Sequence, residues 1–493
     1  MEFSLSAKSR IDHARCDLGA TLHIARRLFT ETVEDRVLVY VPDHIGLPLL
    51  ITDEESAVLS TFSSGSSIGD AISALQGRIE MPFSTIIETV AALEARGFLR
   101  TDENDDVGYQ PRSLPETNSM RSMNVWLHIN NECNLGCSYC FVTKTDEAMS
   151  EDTIQATVDR LVSTVLKHGV EEVVIKFAGG EPTMRIDLVE LFHAELSARL
   201  ADSPVDLRWA FITNGTVCSL RFLDFVARAE AGVNISLDGY GAFHDIYRTY
   251  KIRKSSRSPV GGGSWDKIAG NIDRFIAHGV RPNINTTVSR ESAPGLRDLT
   301  RWVCERGMRL HFGVVRNLDC DWSDGEGRRR RYSDYCDTLA GAFEAAFTEM
   351  EQPTYNMRPD RVEICELRFD RPSSGVCCGI GANHIVVRHD GNLASCPMTV
   401  SEQSVAASDD LFEASRRTFS IDPGERGDSG DCLSCEWYRV CANGCPVANT
   451  RFNGHPFTKS PLCKFWKYVI PRYVQFYGRK ASQLSAAPAL MLQ

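Results

Sequence analysis

Three cysteines within an eight-residue stretch restrict what this chain can fold around. They are Cys133, Cys137 and Cys140, separated by three and two residues. An iron–sulfur cluster is usually held by four cysteine thiolates, so a group of three leaves one iron without a protein ligand. A zinc knuckle is the simpler alternative, because short cysteine spacings are also typical of zinc sites. The loop therefore indicates a metal centre, and, if that centre is an iron–sulfur cluster, one position is open to a further ligand.

Strand and helix signals alternate on the carboxyl side of this loop. Apolar runs typical of buried parallel strands are separated by amphipathic helical stretches such as residues 265–277 and 296–305. Such alternation predicts an α/β fold, here a partial parallel (β/α)6 barrel with its functional loops at the carboxyl ends of the strands. We expect the six strands at residues 125–129, 173–177, 207–212, 233–237, 283–288 and 310–315.

A second polar motif, Gly179-Gly180-Glu181, follows the second predicted strand. Glycines permit close approach of the backbone to a ligand, and the Glu181 carboxylate is able to hold an ammonium group. An ordinary turn at the end of a strand is the alternative interpretation. The three cysteines upstream favour a ligand site.

The cysteine loop, with Tyr139 directly before its last cysteine, resembles the signature of the radical S-adenosylmethionine (SAM) enzymes. The resemblance implies a [4Fe–4S] cluster on Cys133, Cys137 and Cys140, whose open iron binds the amino and carboxylate groups of SAM. In that family an electron from the cluster cleaves SAM, and the resulting 5′-deoxyadenosyl radical takes a hydrogen atom from the substrate. SAM is then a consumed co-substrate, and methyl transfer is not indicated.

Tyr139 in the loop and four further residues inherit cofactor contacts from this resemblance. In the family, a Gly-Gly-Glu motif contacts the SAM amino group, which implies that role for Gly180 and Glu181. Ser236 and Arg248 resemble residues that contact the SAM ribose and carboxylate in the branch that includes anaerobic sulfatase maturases and peptide-crosslinking enzymes.

Seven cysteines in the C-terminal third form an ordered pattern that resembles the SPASM extension of this family. The resemblance implies two auxiliary [4Fe–4S] clusters, which makes three clusters in all. Disulfides and zinc ribbons are the alternatives, but the total of 17 cysteines is odd and residues 1–30 contain no secretory signal, which favours a reducing compartment. The seven cysteines are Cys378, Cys396, Cys432, Cys435, Cys441, Cys445 and Cys463.

The resemblance assigns Cys378, Cys396 and Cys445 to the first auxiliary cluster and the other four cysteines to the second. The first cluster is then one ligand short. Cys377, Cys365 or an open iron that binds substrate are the candidates for that position, and the sequence leaves the choice open. An auxiliary cluster is able to accept the second electron when an oxidised carbon forms a new bond. A reductant such as flavodoxin or ferredoxin is an expected partner.

The N-terminal region concentrates the negative charge of the chain. Residues 31–110 contain 15 acidic and 4 basic side chains, a net charge of −11 that equals the formal charge of the whole chain. Nucleic acid is excluded as a partner, because phosphates require Lys and Arg. Two strands and three helices, which resemble a winged helix and the precursor-recognition domain of peptide maturases, are expected at residues 37–41, 47–51, 53–61, 68–75 and 83–95.

Such a recognition domain binds the leader of a ribosomal precursor peptide by adding it as a strand to a sheet edge. A plain helical appendage that packs on the barrel is the alternative. A polar linker is expected from residue 102 onwards. The resulting division is a recognition domain at 1–110, a barrel at 120–320, a helical bridge at 321–360, a SPASM domain at 361–475 and a tail at 476–493.

Together these features predict a radical SAM maturase that oxidatively installs a thioether, ether or carbon–carbon crosslink in a precursor peptide. A sulfatase-type maturase that oxidises Cys or Ser to formylglycine is the main alternative. Two departures disfavour it: Pro397 stands where that family has Asp, and Ala178 where it has Gln. A non-catalytic iron–sulfur or zinc redox sensor has no need of the SAM-contacting residues. No apolar stretch is long enough for a membrane span, so we expect a cytoplasmic protein.

Overall fold

The computed structural model describes residues 17–42, 47–101, 116–251, 262–316, 325–369, 376–419 and 430–486. The strands in these ranges are β1 (Thr21–Ile24), β2 (Phe29–Val33), β3 (Arg36–Tyr40), β4 (Leu49–Ile51), β5 (Ser66–Ser67), β6 (Leu99–Arg100), β7 (Ser122–Asn130), β8 (Glu172–Gly179), β9 (Asp206–Thr213), β10 (Gly232–Ser236), β11 (Asn283–Val288), β12 (Arg309–Val314), β13 (Val362–Ile364), β14 (His384–Val387) and β15 (Leu393–Ala394).

The α-helices lie mainly between these strands and at the carboxyl end. They are α1 (Asp53–Ser60), α2 (Ile68–Leu75), α3 (Phe83–Ala95), α4 (Glu151–His168), α5 (Ile186–Arg199), α6 (Leu220–Arg228), α7 (Ala242–Asp245), α8 (Trp265–Ala277), α9 (Leu296–Glu305), α10 (Gly325–Met350), α11 (Leu411–Thr418), α12 (Tyr438–Cys441), α13 (Pro446–Asn453) and α14 (Cys463–Ala486). No helix in the described ranges is long and apolar enough to cross a membrane.

One large sheet forms the centre of the molecule. Strands β7 to β12 lie side by side in chain order, and each is parallel to the next. Strand β13 continues the sheet beside β12, and β14 pairs in parallel with β7 at the other end, followed by antiparallel β15. All six predicted strands are present, and α8 and α9 have the predicted bounds. The predicted α/β fold with a parallel sheet is therefore confirmed.

Charge interactions between side chains on distant strands show that this sheet curls. Burial lowers the pKa of Lys176 on β8, and the Glu363 carboxylate on β13 acts in the opposite direction. Strands β8 and β13 are five inter-strand spacings of about 4.8 Å apart along the sheet. Because such interactions weaken beyond about 10 Å, the sheet must curve so that these side chains approach across an interior.

The N-terminal region forms two small sheets and three helices. Strands β2, β3 and β4 make an antiparallel sheet, and β1 lies between β5 and β6 in the other. Helices α2 and α3 have the predicted bounds, and α1 differs by one residue. Strands β1, β2, β5 and β6 were not predicted, because their short sequences contain too few apolar residues to give a strand signal.

The β2–β3–β4 sheet packs between its own helices and α14. Leu38 lies so close to Gly478 that a Cβ added at position 478 would come within 2.7 Å of the Leu38 side chain. The Tyr40 hydroxyl donates to the Phe369 carbonyl at 3.3 Å, and Arg479 pairs with Glu31 at 3.3 Å. The N-terminal region is thus fastened to the C-terminal helix. Most of the predicted polar linker lies outside the described residues.

The C-terminal cysteines lie mostly in turns and short helices. Strands β14 and β15 form a hairpin, and Gly391 in its turn has φ of +79°. A positive φ of this kind is strained for residues other than glycine. Cys396 follows β15 directly, whereas Cys441 ends α12 and Cys463 begins α14.

Candidate active site

The three-cysteine loop follows β7 at the carboxyl edge of the parallel sheet. Cys133 is buried, and Cys137 and Cys140 are partly exposed. The Cys140 N–H donates to the Cys137 carbonyl at 3.1 Å, which turns the loop back on itself. Burial raises the pKa of Cys133 to about 11, and the nearby Cys137 thiol adds to this shift. Burial also raises the pKa of Cys137, and the nearby Cys140 thiol adds to that shift. The structure therefore brings the three predicted ligands together.

The two glycines at the end of β8, Gly179 and Gly180, lie against the backbone that leads into the cysteine loop. The Gly180 N–H donates to the Asn130 carbonyl at 2.6 Å, and the Glu181 N–H donates to the Glu132 carbonyl at 2.7 Å. A Cβ at Gly180 would overlap the Glu132 carbonyl oxygen. The close approach predicted for these glycines is thus to the backbone that carries the cysteines. Their contact with SAM stays a prediction.

Glu181 is fully buried and joins the ends of β8 and β9. Its Oε1 accepts from the Thr183 hydroxyl at 2.6 Å, the Thr213 hydroxyl at 2.7 Å and the Thr183 N–H at 3.1 Å. Its Oε2 accepts from the Asn214 N–H at 2.7 Å. Burial raises the pKa of this carboxyl, and the hydrogen bonds oppose that shift. Because four donors hold the Glu181 side chain, it fixes the ends of β8 and β9 to each other whether or not it also contacts SAM.

Asn214 was not singled out from the sequence, and the structure places it against the cysteine loop. Its Nδ2 donates to Asn134 Oδ1 at 2.9 Å and lies 3.7 Å from the Cys133 sulfur. Asn134 in turn donates to the Thr216 hydroxyl at 2.8 Å. Hydrogen bonds to cluster sulfurs tune reduction potentials. The polar run after a buried strand was the signal available for this role.

Asp238 is a second residue that sequence reasoning missed. It is fully buried, and its Oδ2 accepts from both the Tyr139 hydroxyl and Arg248 Nε, the latter at 2.8 Å. Its Oδ1 accepts from the Thr287 N–H at 3.2 Å. The Arg248 guanidinium also lies 5.6 Å from the centre of the Tyr139 ring. Two predicted SAM-contacting residues are thus held to each other through one carboxylate.

Ser236, the remaining predicted SAM contact, ends β10 beside this network. It is partly exposed and stands in register with Asn285 on β11. Two residues later, the Asp238 N–H donates to His244 Nδ1 at 3.3 Å. Burial lowers the pKa of His244 to about 4, so this ring is neutral and accepts that bond.

Four of the C-terminal cysteines line one cavity together with Trp437 and Trp466. All fifteen cysteines in the described ranges are free, which disfavours disulfides. In the same ranges, no three Cys, His, Asp or Glu side chains converge on a point suited to a single metal ion. Four thiols around one cavity are a ligand set for a [4Fe–4S] cluster or for a tetrahedral zinc. The four are Cys432, Cys435, Cys441 and Cys463.

The other predicted group, Cys378, Cys396 and Cys445, also comes together. The Cys378 thiol raises the pKa of Cys396, after the larger effect of burial. Burial raises the pKa of Cys445 as well, and Cys396 contributes to that shift. The three thiols are therefore close enough to interact, as ligands of one cluster must be.

Both candidates for the fourth ligand adjoin this group, in different hydrogen-bonding states. The Cys365 sulfur accepts from Arg316 Nη2 at 2.7 Å. The Cys377 thiol is buried and donates to the Gly444 carbonyl at 3.2 Å. A thiol that donates keeps its proton, whereas a sulfur that accepts from a guanidinium is stabilised as the thiolate that metals bind.

Comparison with protein families places this edge of the sheet in a known group. Residues 127–290 match the family model described as the Radical SAM superfamily. The chain is 24% identical over 331 residues to a cysteine-type anaerobic sulfatase-maturating enzyme of Clostridium novyi, covering 64% of this chain and 85% of that protein. It is 23% identical over 377 residues to an AdoMet-dependent heme synthase of Oleidesulfovibrio alaskensis, covering 72% and 90%.

Solved structures share the fold. The structure titled native anSMEcpe with bound AdoMet superposes with a TM-score of 0.56 at 18% identity, covering 72% of this chain and 99% of that chain. The same protein with AdoMet and the Cp18Cys peptide gives a TM-score of 0.54. The family match spans β7 to β11 with the cysteine loop, the Gly-Gly-Glu motif and Arg248. Residues 127–290 of this chain form a radical SAM domain.

Proposed function

We propose that this protein is a radical SAM maturase that oxidatively crosslinks residues of a ribosomal precursor peptide. The observation that supports it most directly is the three-cysteine loop at the carboxyl edge of the sheet, held beside the Tyr139–Asp238–Arg248 network. A [4Fe–4S] cluster on this loop supplies the electron that cleaves SAM. The other residues bind and orient the reactants.

Each residue of the edge has a proposed task. The thiols of the loop hold the cluster, and Asn214 donates to the Cys133 sulfur. Asp238 fixes the Arg248 guanidinium, which is proposed to bind the SAM carboxylate while Ser236 binds the ribose. Gly180 and Glu181 are proposed to contact the SAM amino group from the end of β8.

Two auxiliary clusters are proposed for the C-terminal cysteines. The cavity lined by Cys432, Cys435, Cys441 and Cys463 fits one of them. Cys378, Cys396 and Cys445, with a fourth ligand, hold the other. Closing a crosslink removes a second electron from the substrate, and these clusters are proposed to accept it. A small reductant protein such as flavodoxin or ferredoxin completes the electron circuit.

The N-terminal region is proposed to bind the leader of the precursor peptide. In the described residues, the β2–β3–β4 sheet has no partner strand beyond β2 at one edge or beyond β4 at the other. Free edges accept an extended peptide as an added strand through backbone hydrogen bonds. The acidic character of residues 31–110 favours a leader with basic residues.

Hydrogen–deuterium exchange tests this leader site without any mutation. The reconstituted protein is compared with and without synthetic peptides copied from short reading frames beside the gene. Strand addition slows exchange of the outward-facing amides of β2 or β4, because they gain backbone partners. A bound peptide that leaves exchange unchanged throughout residues 21–51 overturns the recognition role of this region.

The crosslinking activity is tested by anaerobic incubation of the reconstituted enzyme with SAM, a reductant and the same peptides, followed by mass spectrometry. We expect 5′-deoxyadenosine together with a peptide lighter by two hydrogens, and fragmentation then locates the new bond. Deoxyadenosine with an unchanged peptide shows that the peptide is the wrong substrate. A fully loaded, reduced enzyme that forms no deoxyadenosine overturns the proposal.

A sulfatase-type maturase is the second candidate, and the similarity to the Clostridium novyi enzyme over 85% of its length favours it. Its product differs chemically, because formylglycine replaces the Cys thiol or Ser hydroxyl by an aldehyde. Pro397 after Cys396 and Ala178 before Gly179 argue against it. Peptides with the sulfatase consensus therefore serve as the comparison substrates in the same assay.

A further inference from the structure

A lysine lies in the middle of the sheet, on the face that looks into the curled interior. Lys176 on β8 stands in register with Trp126 on β7 and Ala210 on β9. The neighbouring Ile175 and Phe177 point to the opposite, fully buried face. Alternation along β8 therefore places the Lys176 ammonium on the same side of the sheet as Trp126.

No carboxylate in the described part of the chain lies within ion-pair distance of this ammonium. In the described part of the chain, Lys176 makes neither a hydrogen bond nor an ion pair, although it is partly buried. Glu363, the carboxylate that acts on it, is exposed and lies 3.5 Å from His311. A partly buried cation normally has a partner, because removing a charge from water costs several kcal/mol.

Other groups around Lys176 add positive charge or remain neutral. Burial lowers the pKa of Lys176, and the nearby Arg368 guanidinium lowers it further. Burial together with the Lys176 charge lowers the pKa of His384 on β14 to about 4, so that ring is neutral. The interior around Lys176 thus attracts an anion, although residues 31–110 make the protein as a whole acidic.

We propose that Lys176 binds a carboxylate of the substrate inside the barrel, either an Asp or Glu side chain or a peptide carboxyl terminus. Lys176 lies four residues before Gly180, which is about 13 Å along a strand. A carboxylate held there lies below the proposed SAM site, so the adjoining part of the substrate extends towards it. The inference rests on the proposed function only in naming the bound molecule as the peptide substrate.

The carboxylate of SAM is the other group that could bind to Lys176. Arg248 at the edge is already proposed to bind it, and the distance along β8 separates the two cations. The experiment therefore includes SAM alone as one arm and SAM with a carboxylate probe as another.

Competitive acetylation of lysines in the reconstituted enzyme, quantified residue by residue by mass spectrometry, tests the site. The probe is N-acetyl-aspartate methylamide, and its control is the isosteric asparagine compound. We expect the aspartate probe to slow acetylation of Lys176 about tenfold with SAM present, because a charge-assisted contact is broken only by its release. Lys267, exposed on α8, is the internal reference and should be unaffected.

Equilibrium dialysis of the radiolabelled aspartate probe gives a second readout that needs no acetylation of Lys176. Lys176→Met should weaken binding about tenfold, and Lys176→Arg should retain it. Equal binding by wild type and Lys176→Met, or protection of Lys176 by SAM alone, overturns the proposal. Iron content and melting temperature establish that the variants are folded.

Neither measurement requires SAM cleavage, so the two proposals fail separately. Loss of the carboxylate site leaves deoxyadenosine formation to be observed as before. Failure to form deoxyadenosine leaves the binding of the aspartate probe unaffected.

Discussion

The edge of the parallel sheet and the C-terminal cysteine cavity are held together in different ways. At the edge, the backbone of the cysteine loop is bonded to Gly180 and Glu181, and buried Glu181 has four donors. The C-terminal cavity is lined by residues from turns, a four-residue helix and the start of α14. The edge is organised by the fold before any cluster binds.

The C-terminal cavity has fewer supports from regular structure. Asn449 donates to the carbonyls of Asn443, Pro456 and Thr458 at 2.9 to 3.0 Å, and Asp431 pairs with Lys459 at 2.6 Å. These bonds connect turns to one another and to the short helix α13, and not to the sheet. From this difference we expect that a cluster at the edge would serve chemistry, whereas one in the C-terminal cavity would also stabilise a region that has little regular structure.

The largest expected effect is the loss of SAM cleavage when the cysteine loop at the edge of the sheet is changed. Replacing Cys133, Cys137 and Cys140 by Ala should abolish SAM cleavage, because no other residues hold the open iron. Iron should fall by one cluster, with two clusters retained, and the melting temperature should change little. Iron analysis, calorimetry and a deoxyadenosine assay measure this. Retained SAM cleavage contradicts the assignment of the edge.

Removing the ligands of the C-terminal cavity should have the opposite profile. Cys432→Ala with Cys435→Ala should lose one cluster and destabilise the C-terminal region by about 3–5 kcal/mol, because metal binding there is also folding energy. Limited proteolysis near residues 430–463 and calorimetry are the measurements. If this variant melts like the wild type, the contrast between the two regions is wrong.

Gly180→Ala tests how tightly the fold itself fixes the edge. The added Cβ overlaps the Glu132 carbonyl, so we expect a loss of about 3 kcal/mol in the free energy of unfolding. Gly270→Ala on α8 is the control, because nothing lies within 4 Å of its Cβ, and it should stabilise by about 0.5–1 kcal/mol. Urea unfolding of the reconstituted proteins compares them, and equal stabilities refute the close approach.

Glu181→Gln probes the buried carboxylate through pH. The amide places a donor against the Asn214 N–H or the Thr183 N–H, which should cost about 1–3 kcal/mol. Burial raises the pKa of Glu181 above its usual 4.5, so its contribution to stability is full below pH 4.5 and declines as pH rises through the raised value. The cost of the substitution should therefore be larger in acid than at neutral pH. A difference in unfolding free energy that does not change with pH contradicts this.

The smallest expected effect separates two neighbouring cysteines. Cys365→Ala should alter the spectrum of one auxiliary cluster, because its sulfur accepts from Arg316 as a thiolate would. Cys377→Ala should leave the clusters unchanged, because that thiol donates to Gly444. Electron paramagnetic resonance of the reduced proteins compares the two variants. An altered spectrum for Cys377→Ala alone reverses the choice of ligand.

Much of the fold was predictable because its signals are local. Apolar runs and helical periodicity gave all six central strands and the bounds of α2, α3, α8 and α9, since burial on the outer face imposes these patterns. The short strands of the N-terminal sheets were missed, because they contain too few apolar residues to give a strand signal. The partners of some of them also lie far away in the sequence. Strand β1, for example, pairs with β5 and β6, which begin at Ser66 and Leu99.

The candidate ligands of the site could be predicted from the sequence, but the hydrogen bonds that hold the surrounding residues in place could not. Cysteine spacing predicted the groups of thiols that the structure brings together, because metal chemistry demands those residues whatever surrounds them; that these groups bind clusters stays a prediction. Nothing in the sequence indicated that Glu181 would be saturated by donors from β9, or that Asp238 would join Tyr139 to Arg248. Thr213 stands 32 positions from Glu181, and Tyr139 stands 99 positions from Asp238.

The amino-acid sequence by itself determined the class of chemistry, the order of strands and the residues that can bind iron, because these depend on side-chain type and short-range periodicity. Only the tertiary structure decided which carboxylates are already paired, which thiols adjoin each group and that Lys176, on the inner face of the sheet, forms no ion pair with any described residue. The physical reason is that burial and electrostatic partnership are properties of space, and the curled sheet brings together charges that lie far apart along the chain.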